Sequence, residues 1–121
     1  MSNFDLAKIV FEAENGPVGD QLMGAPILDV WYLILTPDHF IRARGAVVGH
    51  PGIDDPYITT SPVIGFDVEN RWMRTRSRFY RLGHDLNVGP EMSVVGALSH
   101  EYAQRYLAEA RKLLMQDISV H

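Results

Sequence analysis

The chain contains no cysteine. That removes disulfides, thiolate metal sites and thiol nucleophiles together, and it fits a reducing compartment. Long apolar runs are also missing. The longest, Val30 to Leu35, falls far short of the roughly 20 residues that a membrane-crossing helix needs. The first residues, MSNFDLAKIVFEAEN, show no basic leader followed by an apolar segment, so neither a signal peptide nor membrane contact is expected. A bacterial or phage-infected cytoplasm is the expected location. No Walker-type or dinucleotide-type glycine loop is present, because Gly16, Gly19 and Gly24 punctuate a loop without opening a helix. The five histidines show no metal spacing; His39, His50, His84 and His100 fall singly. No metal or other cofactor is expected. Basic residues are outnumbered, 11 Lys and Arg against 15 Asp and Glu, for a net charge of −4. That balance argues against a general nucleic-acid coat.

What is present describes an ordinary folded unit. At 121 residues, 46% hydrophobic and 21% charged, the chain is long enough for one core, and residues 1–121 read as a single domain. Ala7 to Glu14 alternate as a half-exposed strand would, ending at Asn15-Gly16-Pro17. Gly16 to Pro26 is a loop. Ile27 to Leu35 is apolar on both faces apart from Asp29, which suits a central strand with Trp31 and Tyr32 in the core. Phe40 to Gly49 returns from a turn at Thr36–His39 as its antiparallel hairpin partner. Ile58 to Val68 and Trp72 to Leu82 form two further strands around a polar turn at Glu69-Asn70-Arg71. Pro62 cannot donate to a ladder and predicts an edge or a bulge. Ser99 caps a closing helix to about Gln116, whose apolar stripe runs through Tyr102, Ala103, Tyr106, Leu107, Ala110, Leu113 and Leu114. The expected architecture is α+β: an antiparallel β-meander of about five strands with one C-terminal amphipathic helix packed on a face.

Positive charge is concentrated. Seven of the 11 cationic residues (Arg42, Arg44, Arg71, Arg74, Arg76, Arg78, Arg81) fall between positions 42 and 81. Arg74, Arg76 and Arg78 alternate, and alternation along one strand places side chains on one face. Stacked like charges repel unless acids or a bound anion compensate. Trp72 and Tyr80 bracket the three on the same expected face, and Arg42 and Arg44 join them if the two strands share an orientation. Guanidiniums grip carboxylate or phosphate, and aromatic rings accept base faces. The candidate anion or partner site is therefore Arg42, Arg44, Trp72, Arg74, Arg76, Arg78 and Tyr80. Its expected partner is a nucleotide, a nucleic acid or an acidic protein surface.

This reading makes the chain a small non-enzymatic binding or inhibitory accessory protein of a bacterium or mobile element. The same strand has a plainer explanation as a solvated face laced to Asp67, Glu69 and the helix acids. Two other function classes stand beside it. One is a homodimeric interaction protein that joins through Trp72, Met73 and Met92. The other is a small hydrolase using His50 with Asp54 and Asp55, or His84 with Asp85, as a loop base. Ser61 and Ser77 lack the context of an activated nucleophile.

The order Gly49-His50-Pro51, Asp55, Ile58-Thr59-Thr60-Ser61-Pro62-Val63, Thr75 and Tyr80-Arg81-Leu82 resembles a pattern in small bacterial proteins without an assigned activity. Asp55-Pro56 stands here where that pattern has Asp-Gly. The resemblance implies a compact β-rich bacterial domain and carries no mechanism.

Overall fold

The computed structural model describes residues 3–49, 56–86 and 96–119. Helix α1 (Asn3–Asn15) precedes strands β1 (Ile27–Leu35), β2 (Ile41–Val48), β3 (Tyr57–Thr59), β4 (Val63–Asp67), β5 (Trp72–Thr75) and β6 (Phe79–Leu82), and helix α2 (His100–Ser119) closes the chain. The strands form one six-stranded sheet in the order β3-β2-β1-β6-β5-β4. The fold is α+β, as expected, but the sheet is mixed rather than an antiparallel meander, because β1 and β6 run parallel.

The link between β3 and β4 sets the shape. These strands lie at opposite ends of the sheet order, yet only Thr60, Ser61 and Pro62 separate them. Five interstrand spacings in a flat sheet span about 24 Å. Four extended residue steps reach only about 14 Å. The sheet must therefore roll until its edges approach. The Thr60 amide donates to Ala43 O and the Arg76 amide to Pro62 O, both at 2.8 Å, so the link is stitched to β2 on one side and to the β5–β6 turn on the other. Ile58 to Val68 is thus two edge strands with Pro62 at the corner, where the missing donor costs nothing.

Register sorts the faces. Leu33 opposes Ala43, Met73 opposes Tyr80, and these residues share the inner face with the buried Leu28, Trp31, Ile41 and Leu82. Tyr32 opposes Arg44, Ile34 opposes Arg42, and Trp72 opposes Arg81 on the outer face. Trp31 is in the core as expected, whereas Tyr32 is half-buried on the outside. The inner core is completed by Ala103 and Leu107 of α2. Ser99 caps that helix, its Oγ accepting from the Tyr102 amide at 3.1 Å.

Ala7 to Glu14 is helix rather than strand. Ala7, Ile9, Phe11 and Ala13 satisfy a period of two, but Leu6, Ile9, Val10 and Ala13 equally satisfy i, i+3, i+4, i+7. The structure buries the second set's Ile9, Val10 and Ala13 and leaves Phe11 62% exposed. Gly16 ends the helix at φ 85°, its amide donating to Glu12 O at 2.8 Å. Ala13 and Gly16 then seat α1 on the outside of Gly65 and Trp72.

Asp29 holds the junction between the sheet's two halves. Val30 bulges out of β1 at φ 45°. The Asp29 carboxylate accepts from the His84 amide (2.7 Å) and the Val30 amide (3.0 Å), with His84 Nδ1 at 3.0 Å. The His84 amide first, then its ring and the Val30 amide, hold this carboxyl below its ordinary range. A depressed carboxylate adds stability above its unfolded value and loses it as pH falls through the folded one. Asp29→Asn is therefore expected to lower the melting temperature at pH 7, with the gap from wild type closing below about pH 4. Melting curves from pH 7 to pH 2.5 measure it; a gap independent of pH would assign Asp29 a purely steric part.

Candidate functional site

Trp72–Leu82 is not one strand. Thr75 is fully buried, and its Oγ1 accepts from the Ser77 and Arg78 amides, each at 3.3 Å, while its own amide donates to Arg78 O at 2.9 Å. That local hydroxyl–backbone set turns the chain at Arg76-Ser77-Arg78 and splits the segment into the β5–β6 hairpin. The alternation of Arg74, Arg76 and Arg78 therefore does not line one face. Arg74 lies in β5, Arg76 is exposed in the turn, and Arg78 is half-buried at the turn's end. The turn also separates the two aromatic brackets. Trp72 faces outward under Gly16, and Tyr80 faces the inner core, 4% exposed.

Arg74 is occupied internally. Its side chain is 10% exposed, 3.7 Å from the Glu12 carboxylate of α1, with Nη1 donating to Thr75 O at 2.5 Å and the guanidinium 5.4 Å from the Phe79 ring centroid. Burial pulls its pKa down while the Glu12 charge opposes. Trp72, edge-on to Phe79 at 5.9 Å, packs with Ala25 and Leu22. Burial pushes the Tyr80 hydroxyl up, with the nearby Arg78 charge working the other way. Met73 is fully buried, so Trp72 and Met73 offer no dimer surface; Met92 lies outside the described residues.

Arg42 and Arg76 do converge. Phe40, 40% exposed, carries the Arg76 guanidinium 5.4 Å from its ring centroid and the Arg42 guanidinium 5.9 Å from it. Local structure fixes all three. The Thr36–Phe40 turn closes with the Thr36 amide on Phe40 O (2.9 Å) and His39 at φ 68°. Ser77 Oγ and Ser61 Oγ, 2.9 Å apart, tie the Arg76 turn to the β3–β4 link. Arg42 reaches Thr60 O (3.2 Å) and the Asp38 carboxylate (3.1 Å). The Thr36 hydroxyl, then Arg42, keep Asp38 below its ordinary pKa, so Arg42 is partly neutralised. Arg76 has no carboxylate at ion-pair distance among the described residues. Arg44, exposed on the outer face, donates Nε to Thr59 Oγ1 at 3.2 Å.

Phe40 and Arg76 form one end of a groove of about 680 Å³ between α2 and the rolled sheet. Ile41, Val63 and Ile64 make its floor; Tyr102, Tyr106 and Leu113 stand along its helical wall. Tyr106 donates to His39 O at 2.5 Å and pins the helix to the hairpin tip. Arg111 donates inward to Ile64 O at 2.8 Å, and Arg105 stands exposed on the helical rim. Phe40 and Arg105 carried no signal in the sequence beyond being an aromatic before a strand and a cation beside the helix stripe.

A second cleft, of about 590 Å³, holds His100, Gln104, Glu14, Asp67 and Glu69. His100 stacks on Trp31 (5.7 Å, 19°) and sets Nε2 2.7 Å from Asp85 Oδ2. Asp85 thus pairs with His100, while His84 pairs with Asp29. No hydroxyl or amine nucleophile lines this cleft among the described residues. His50, Asp54 and Asp55 lie outside the described residues. Among those described, no three His, Asp or Glu side chains group as metal ligands, and no helix is long and apolar enough to cross a membrane.

The fold and groove define a small α+β domain built on a rolled mixed sheet with one helix outside it and one across its seam. Residues 3–104 match the model of a family of unknown function, DUF6634, and the chain belongs to that family. No curated protein and no solved structure matches it.

The division between a buried and an exposed arginine is testable. Glu12→Ala leaves Arg74 charged and unpaired in a covered site, and is expected to cost about 3 kcal/mol in denaturant unfolding. Arg76→Ala is expected to change stability by less than about 0.5 kcal/mol. Equal costs would contradict this division of roles.

Proposed function

We propose that this protein is a non-enzymatic binding module that holds an anionic partner at Arg42 and Arg76, beside the apolar groove. The observation that carries the reading is the pair of guanidiniums set against one exposed ring at the groove's end. Two cations within about 6 Å of one ring centroid gather positive charge there, and Phe40 and Asp38 offset only part of its cost. A bound carboxylate or phosphate would offset the rest, and guanidiniums suit either group. Of the residues expected from sequence, Arg42, Arg44, Arg76 and Arg78 remain able to serve, whereas Trp72, Arg74 and Tyr80 act in the fold.

The chain's small size supports an accessory role, in which a bacterial or mobile-element protein covers an acidic surface of something larger. The lack of cysteine supports a reducing cytoplasm.

The test is thermal shift with inorganic phosphate at low and high salt. At tenfold excess over Kd, binding is expected to raise the melting temperature by about 6 °C. The shift should fade in high salt and vanish in Arg42→Ala/Arg76→Ala, while Arg71→Ala retains it. An unchanged shift in the double variant would remove these arginines from the site.

A further inference from the structure

We infer that the groove receives an amphipathic helix of a partner protein, with acidic residues on both flanks of its apolar stripe. The inference rests on the binding reading above and names the partner's chemistry.

Three observations converge. The first is apolar exposure gathered in one place. Phe40 (40% exposed), Tyr102 (42%) and Leu113 (62%) all line the groove. Between Tyr102 and Leu113 the helical wall extends about 16 Å, three turns of helix. Within that wall the small Ala110 stands between the bulkier Tyr106 and Leu113, leaving a notch for an incoming side chain.

The second is charge. Arg76 marks the sheet rim and Arg105 the helical rim, and neither has a carboxylate at ion-pair distance among the described residues. The rim's acid, Glu109, is met by Lys112 at 3.3 Å. Arg111 is turned inward to Ile64 O, with Glu14 at 3.9 Å. Both rims are therefore positive in a chain whose net charge is −4. An apolar channel between two cationic rims is the complement of an apolar stripe between two acidic ones.

The third is the backbone. An extended peptide would bind beside β4 only by pairing with that strand's outward groups. The carbonyls of Ile64 and Phe66 already accept from Arg111 (2.8 Å) and Gln104 (2.9 Å). Strand addition is blocked at these positions. An occupant must satisfy its own backbone, as a helix does.

The test uses the full chain and a fluorescently labelled 18-residue helical peptide with leucines at i, i+3, i+7 and i+10 and glutamates on both flanks. Anisotropy is expected to show salt-sensitive binding, and a lysine-flanked version of the peptide should bind at least tenfold more weakly. Arg105→Glu should weaken the glutamate peptide about tenfold and improve the lysine one. Ala110→Trp, which fills the notch, should lose the peptide and keep the phosphate-induced thermal shift. Wild type that shows the phosphate shift but ignores the peptide would overturn the helix and leave the anion site standing. Loss of both responses in wild type would sink the two readings together. A concentration-dependent mass in sedimentation, abolished by Ala110→Trp, would make the occupant a second copy of this chain and overturn the inference.

Discussion

Thr60, Ser61 and Pro62 must bring the end of one edge strand to the start of the other, and three residues are too few to cross a flat six-stranded sheet. The resulting roll gives the sheet an inside, filled by Leu28, Trp31, Leu33, Met73 and Tyr80, and an outside on which α1 sits. It also creates a seam. Helix α2 lies along that seam, with Gln104 and Arg111 bonded to β4 carbonyls and Tyr106 to the β1–β2 turn. The groove is the part of the seam that α2 leaves unfilled. Fold and candidate site thus follow from one short connection.

Much of this was legible in local chemistry. The β1 run, its hairpin partner, the Glu69-Asn70-Arg71 turn and the Ser99 cap all have nearest-neighbour causes, and each lies where its residues imply. The parallel β1–β6 pairing does not, because it depends on how far the chain can reach rather than on any motif. Nor was α1 decidable from alternation alone. Ile9 and Ala13 belong to both periods, and it is the outward Phe11 and the buried Val10 that separate them. Asn15-Gly16 points to the helix, since a glycine at positive φ ends helices more characteristically than strands.

The arginine cluster shows the same limit at the level of the site. Arg74, Arg76 and Arg78 are equally spaced in sequence, but the buried Thr75 hydroxyl organises a turn between the first and the last. One guanidinium is spent against Glu12, another rests on Phe40, and Arg81 reaches Ala25 O at 2.9 Å. Arg42 and Arg76 reach the same Phe40 ring only through the roll of the sheet and the stitched link. A pattern of charges reveals how much positive potential a segment carries; where that potential emerges is decided by tertiary closure.

The docking of α1 has a consequence in time. Its 13 residues leave the ribosome before the strands they dock on, and so short a helix is marginal in water on its own. Its anchors, Gly65, Trp72 and Arg74, follow some 50 residues later, which at ordinary synthesis rates means a wait of roughly 3–10 s. During that interval Ile9 and Val10 have no surface to cover them. A helix made ahead of its docking surface is thus secured late, and the nascent chain depends on whatever shelters the apolar side of α1 until the β4–β5 hairpin arrives.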